Sequence, residues 1–453
     1  MKILITGATG FIGRQAVLHL RDRGHEIAVL TRDPEKAPVR LPIACPLFLW
    51  PGAEHPPPRE AFEGIDAVVH LAGENILGRW TAAKKKEIIR SRVDSTQQLL
   101  AALMDLPHKP SVLVSISGVG YYGDRGETPL DESAGRGQGF FPDLCRQWEQ
   151  EARNAETLGI RTVQLRTGMV LGHDGGAMRV MLPPFRLGLG GKISSGRQWL
   201  SWIHIRDLAG LILHAIKNDS VTGPVNAVSP NPVTNAEFTQ TLGKALKRPT
   251  PFPVPAFALE LLLGEAGRVA LDSQRAVPQK ALESGYAFEF PQLRAALTDI
   301  CARRDHELLM EQWVSRPVDE VFAFFSDAKN LERLTPPHLS FKVLSQSTEK
   351  LQEGTRIDYK LQLHGISFHW QSLIHDWQPM TSFSDTQTRG PYKKWDHTHT
   401  FIEQDGGTLI RDHAWYRLPF GVPGDAVAYP FVKKDLEKIF GYRHARVREL
   451  LGE

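Results

Sequence analysis

The run Thr6-Gly7-Ala8-Thr9-Gly10-Phe11-Ile12-Gly13 constrains this chain more than any other segment. It follows a short apolar stretch, Lys2–Thr6, that reads as a strand, and it opens a helical pattern over Phe11–Arg23 that stops at Gly24. Three glycines spaced this way between strand and helix have separate tasks. Gly7 takes a tight turn, Gly10 leaves room for the backbone to approach a pyrophosphate, and Gly13 lets helix and strand pack closely. The helix N-terminus then presents unpaired N–H groups and a positive dipole end to the phosphates. Residues Gly7, Thr9, Gly10, Phe11, Ile12 and Gly13 are therefore the expected cofactor loop.

The pattern that follows agrees. Glu26–Thr31, Ala67–Leu71, Val112–Ile116 and Thr162–Arg166 are apolar on both faces, as strands of a buried parallel sheet must be. Helical stretches at Lys84–Met104 and Leu144–Leu158 lie between them. Alternating strands and helices imply an α/β, doubly wound Rossmann sheet with right-handed crossovers. Residues 172–297 are richer in Gly and Pro, with short helices at Asn235–Leu246 and Ala256–Leu263, and are expected to form a small cap. Ala295–Arg304 reads as the last helix of this first domain, 1–303.

From 304 to 453 the pattern turns strand-like: Leu309–Ser315, Phe341–Ser347, Thr355–Leu363, Phe368–Trp377, His397–Gln404 and Thr408–Arg417. Short helices at Val318–Phe325 and Ala328–Leu334 interrupt early. A long terminal helix carries an apolar stripe of Val432, Leu436, Ile439, Phe440, Val447 and Leu450.

Composition sets outer limits. The 453 residues suffice for two or three cores, and 42% hydrophobic with 23% charged residues suits an ordinary globular protein. A net charge of +3 makes no case for nucleic acid or an acidic membrane as partner. Three cysteines, Cys45, Cys145 and Cys301, form no CxxC pair, which argues against a disulfide framework and fits a reducing cytoplasm. Met1–Thr6 runs straight into the glycine turn and reads as a strand, not a signal peptide. No apolar run reaches bilayer length.

The second strand ends Leu30-Thr31-Arg32-Asp33. An arginine here suits a 2′-phosphate, by a charge-assisted fork and stacking, so Thr31 and Arg32 favour NADP; Asp33 keeps NAD possible. His70-Leu71-Ala72-Gly73 ends the next strand, and its small residues Leu71, Ala72 and Gly73 would let backbone pass close to the cofactor.

With TGATGFIG, HLAGE (His70–Glu74), RWTAAKKKEIIRSRV (Arg79–Val93), SISGVGYYG (Ser115–Gly123), LRTGMVLG (Leu165–Gly172) and SGRQWLSWIHIRDLAG (Ser195–Gly210), the chain resembles the extended short-chain dehydrogenase/reductase superfamily. The resemblance is strongest to its epimerase-like branch, often named nucleoside-diphosphate-sugar epimerase or "cell division inhibitor". It covers about residues 1 to 300. It implies a nicotinamide cofactor, NADP by preference, with Arg166 beside it.

Enzymes of that superfamily pair a serine or threonine with a YxxxK tyrosine and lysine, the lysine lowering the tyrosine pKa. Ser117 stands where the serine is expected, but the tyrosine and lysine positions fall at Phe141 and Cys145. Tyr122 is the candidate substitute acid, and Tyr121 a substrate contact. Arg186, Lys192 and Arg197 would line the site for an anionic substrate.

Ser315–Phe322, Gly390–Trp395 and Tyr416–Gly421 resemble the START-like (SRPBCC) helix-grip family, which implies an apolar-ligand cavity. His397 and His399 alternate on one strand, with His375 and His413 on others. Cavity-lining or solvated histidines are the expectation there, and no metal site. The expected function is an NADP-dependent oxidoreductase or epimerase-like enzyme for a small-molecule substrate, fused to a hydrophobic-ligand-binding domain. A non-catalytic NADP-dependent sensor or regulator is the alternative.

Overall fold

The computed structural model describes residues 1–303 and 305–452. They divide into two compact units. The first holds Met1–Pro34 and Cys45–Arg303, and the second holds Glu35–Ala44 with the chain after Arg303.

In the first unit, seven parallel strands form one sheet: β1 (Lys2–Thr6), β2 (Glu26–Thr31), β3 (Leu47–Leu49), β4 (Ala67–His70), β5 (Val112–Gly118), β6 (Arg161–Thr167) and β7 (Gly223–Ala227). Their spatial order is β7-β6-β5-β4-β1-β2-β3. The order reverses between β1 and β4, and that switch point opens the crevice in which doubly wound folds bind ligands. Ile3, Leu4, Ile5, Val68, Val69, Leu113 and Val114 are buried on both faces, which is why these strands read as unbroken apolar runs.

Helices α1 (Phe11–Arg21), α2 (Val93–Met104), α3 (Phe140–Arg153) and α4 (Ile205–Lys217) cover the sheet. The pattern expected as one helix over Lys84–Met104 breaks in two, Ala82–Arg90 and then α2. At the break, Ser91 Oγ accepts from the Glu74 backbone N–H at 2.9 Å and Arg92 donates to the Glu74 carbonyl at 2.9 Å. The break thus turns two side chains onto the loop after β4.

The Gly/Pro-rich stretch expected as cap also holds structure of the main layer. α4 packs on α1, and β7 extends the sheet beyond β6. The strand was hidden because Gly223 and Pro224 occupy its first two positions at a sheet edge. The last helix runs Leu293–Ala302, and Arg304 of the expected Ala295–Arg304 lies outside the described residues.

The second unit is an antiparallel seven-stranded sheet: β8 (His306–Val314), β9 (Lys342–Gln346), β10 (Arg356–Leu363), β11 (Ile366–Gln378), β12 (Ser382–Arg389), β13 (Lys394–Gln404) and β14 (Gly407–Arg417), in the order β8-β14-β13-β12-β11-β10-β9. Beside the short helices Val318–Phe325 and Ala328–Arg333, the long helix α5 (Gly421–Leu451) lays Leu436, Phe440 and Val447 into the core on the sheet. This is the helix-grip arrangement. Strand β12 has no sequence signal, since Phe383 is its one apolar residue. Its neighbours β11 and β13 supply the pairing that makes it a strand. Val39, from the 35–44 excursion, joins this core, and Arg40 pairs with Glu437 at 2.9 Å.

Candidate functional site

The glycine turn has the geometry its spacing demands. Gly7 adopts φ +71°, and a Cβ there would come within 2.7 Å of the Leu71 backbone, so the loop after β4 passes against it. A Cβ on Gly13 would lie 2.2 Å from the Gly7 carbonyl oxygen. No side chain caps α1 at Gly10, so the first N–H groups of the helix are left for a ligand. The Phe11 ring is set aside from that duty. It fills a niche where Cβ atoms on Gly172 and Gly175 would approach it to 2.6 and 2.1 Å.

Thr6 ties the turn to the next strand. Its hydroxyl accepts from the backbone N–H groups of Leu71 and Ala72 at 3.2 and 3.1 Å, which leaves its own proton for His70 Nδ1 at 2.8 Å. His70 is fully buried, and burial, with the Arg92 charge second, holds its pKa down at about 4. Gly73 lies under the Arg92 guanidinium, 3.1 Å from where its Cβ would stand. At the end of β2, Thr31 is half-buried and Arg32 is exposed, with no side-chain partner among the described residues.

Ser117, Tyr122 and Arg166 converge, but on a residue the spacing did not single out. Glu149 of α3 accepts from Ser117 Oγ at 2.8 Å and takes a two-pronged bond from Arg166, with Nε and Nη2 each at 2.8 Å. Arg166 and Glu149 are 3% and 4% exposed, so this is a buried ion pair. Burial opposes the charge on Arg166, and Glu149 with the Tyr122 hydroxyl more than offsets it, holding the guanidinium charged. The Tyr121 ring lies 3.6 Å over the guanidinium. Arg166 is thus held by Glu149, Tyr122 and the Tyr121 ring.

Tyr122 is wholly buried. Its hydroxyl donates to Asn226 Oδ1 at 2.7 Å and accepts from Arg166 at 3.0 Å. Burial pushes its pKa up to about 12. A tyrosine so placed braces β5 against β7 and has no proton to offer a substrate, which corrects the expectation of a substitute acid. The Phe141 ring packs on Gly120, where a Cβ would meet it at 2.1 Å. Cys145 is buried, and burial pushes its thiol up to about 12. Neither side chain at the tyrosine and lysine positions transfers protons near neutrality.

The basic residues of the expected substrate lining sit on different segments. Arg186 ends a helix beside Cys301, while Lys192 and Arg197 are exposed on the following loop. Glu149 escaped the sequence reading although it left a signal. On α3 it shares the buried face with Cys145, Trp148 and Ala152, and a charged residue inside an apolar stripe implies a buried partner.

In the second unit, a cavity of about 210 Å³ lies between the sheet and α5. Tyr359, Trp370, Phe383, Trp395 and Phe440 supply its apolar wall. At one end Asp385, His397, His399 and Arg443 reach it. Asp385 and Asp412 were both missed by the sequence reading.

A dinucleotide turn on a seven-stranded parallel sheet, followed by a helix-grip unit, defines the class: a Rossmann-fold protein of the short-chain dehydrogenase/reductase type with an SRPBCC-like C-terminal domain. Residues 3–227 match the NAD dependent epimerase/dehydratase family, 254–300 a domain of unknown function (DUF1731), and 314–439 the polyketide cyclase / dehydrase and lipid transport family. The chain is 42% identical to the chloroplastic epimerase family protein SDR39U1 homolog of Arabidopsis thaliana, over 66% of this chain and 86% of that one. It is 41% identical to epimerase family protein SDR39U1 of Mus musculus, over 67% and 100%. The crystal structure of human SDR39U1 (isoform 2) with NADPH superimposes with a TM-score of 0.60 at 39% identity, over 67% of this chain and 100% of that one. The chain belongs to the NAD dependent epimerase/dehydratase family, on the branch of the SDR39U1 epimerase family proteins. No helix among the described residues is long and apolar enough to cross a membrane.

Proposed function

We propose that the first unit is an NADP(H)-dependent oxidoreductase of epimerase-like type acting on a small-molecule substrate. The observation that carries this reading is the uncapped α1 N-terminus behind Gly7 and Gly10, with exposed Arg32 at the neighbouring strand end. Its human relative was solved with NADPH. When bound, the nicotinamide supplies or accepts a hydride. The chain's own residues do the rest. The loop N–H groups hold the pyrophosphate, and Arg32 takes the 2′-phosphate. Ser117, at the carboxyl end of β5, gives its proton to Glu149, which fixes its rotamer and leaves its lone pairs to accept from a substrate hydroxyl. Arg186, Lys192 and Arg197 remain candidates for an anionic substrate.

For the second unit we propose an apolar small molecule as ligand. The aromatic wall supports it. The cavity of about 210 Å³ is smaller than the roughly 300 Å³ usual for a ligand pocket, so the proposed ligand is a compact ring system and not a long chain. The test of the cofactor assignment is calorimetric titration of the full chain with NADPH and NADH. Tighter NADPH binding is expected; equal affinities, or none, would overturn it.

A further inference from the structure

The carboxylates and imidazoles at the end of the helix-grip cavity are arranged in two shells. Asp385 on β12 pairs in register with His397 on β13, and His399, two residues on, pairs with Asp412 on β14. Strand pleating puts His397 and His399 on one face, and both are buried, with side chains 4% and 6% exposed. One oxygen, Asp412 Oδ1, takes the outer nitrogens of both rings: it accepts from His397 Nε2 at 3.0 Å and stands 2.8 Å from His399 Nδ1, out of hydrogen-bond alignment. Arg443 from α5 lies 3.8 Å from the same oxygen.

The inner nitrogens face a different carboxylate. His397 Nδ1 is 3.4 Å and His399 Nε2 3.5 Å from Asp385 Oδ2. A neutral imidazole has one N–H. In His397, whose Nε2 donates to Asp412, a neutral ring directs its Nδ1 lone pair at Asp385, whereas His399 Nδ1 makes no bond to Asp412 and leaves either nitrogen of that ring to face Asp385 as an acceptor. Three potential ligand atoms, a carboxylate oxygen and two imidazole nitrogens, lie within 4.8 Å of one another. A buried carboxylate between two imidazoles draws positive charge, which a metal ion can supply as well as a proton.

We propose that Asp385 Oδ2, His397 Nδ1 and His399 Nε2 bind one divalent transition-metal ion of the zinc class. Metal–ligand bonds of about 2.0–2.2 Å in a tetrahedron separate ligand atoms by about 3.4 Å. The two carboxylate–imidazole distances of 3.4 and 3.5 Å already have that value. Asp412 supplies the outer carboxylate that orients metal-bound histidines and raises their basicity. Ser372 Oγ donates to Asp385 Oδ1 at 3.2 Å, leaving Oδ2 for the ion. Three protein ligands leave a fourth position, and Asp385, His397 and His399 all line the cavity. In so far as the apolar-ligand reading holds, the ligand carries one oxygen donor on an apolar body.

The test uses untagged full-length protein, stripped with chelator and loaded with Zn²⁺ or Co²⁺ alone. One Zn²⁺ per chain is expected after desalting, and the Co²⁺ form should show tetrahedral d–d bands without thiolate charge transfer. Asp385→Asn and His397→Gln should abolish stoichiometric retention, Asp412→Asn should weaken affinity about tenfold or more, and His375→Gln, outside the cluster, should retain the ion. No retention by the wild type, thiolate bands pointing to a cysteine site, or retention unchanged in both Asp385→Asn and His397→Gln overturns the proposal. Should those variants fail to fold, the wild-type Co²⁺ spectrum decides alone. Because the readout is the ion, its failure leaves the apolar-ligand reading to be judged separately.

Discussion

Ser117 Oγ donates to Glu149 Oε1 at 2.8 Å, across a sequence separation of 32 residues. The bond links the strand that ends at the cofactor crevice to the helix that normally carries the tyrosine–lysine pair of this superfamily. The polar centre of the site here is therefore a serine held by a carboxylate, which Arg166 neutralises in turn.

Removing that carboxylate should cost stability before it costs chemistry. Glu149→Ala leaves the Arg166 charge buried with Tyr122 and Ser117 as its company, and breaking such a pair from one side costs about 3–5 kcal/mol. The guanidinium unfolding of the first unit should shift to lower denaturant. An unchanged midpoint would show that water reaches Arg166.

If Ser117 acts on the substrate as proposed, Ser117→Ala should lower turnover while NADPH affinity stays the same. NADPH oxidation with a panel of carbonyl compounds and sugar nucleotides supplies the rate, and calorimetry supplies the affinity. A rate indifferent to the substitution would remove Ser117 from the mechanism.

Arg32→Ala should weaken NADPH binding about tenfold or more, the worth of one charge-assisted fork of about 1.5–3 kcal/mol, and leave NADH binding unaltered. Equal loss for both cofactors would mean that Arg32 stacks on adenine without touching the phosphate.

His70 gives the first unit an acid-sensitive term. Its folded pKa of about 4 lies below the ordinary 6.5, so the folded state binds fewer protons than the unfolded state between those values. The stability it contributes is intact above about pH 6.5 and lost as pH falls toward 4, by about 3 kcal/mol in full. The acid limb of a stability–pH curve should be shallower by up to one proton in His70→Gln. A parallel curve would show that His70 titrates alike in the folded and unfolded states.

Much of the architecture was legible without coordinates. TGATGFIG between a strand and a helix specifies its own turn because every constraint in it is local: Gly7 needs a positive φ and Gly13 lacks room for a Cβ. The buried strands declared themselves by apolar runs, and the terminal helix by its stripe. The absences at Phe141 and Cys145 were readable for the same reason, since a YxxxK spacing lies within one helix.

The partners of those residues were decided by the tertiary structure alone. Nothing near Tyr122 in sequence foretells that Asn226 will take its hydroxyl, and its aromatic ring gave no warning that the site would seal it from substrate. Asp385 sits on a strand too polar to recognise, and it meets His397 only because β12 and β13 pair in that register. Local spacing sets turns and helix faces, where neighbours are about three or four residues apart in the chain. Sheet order and register set which distant side chains share a buried volume, and in that volume the low dielectric requires each charge to find its counterpart.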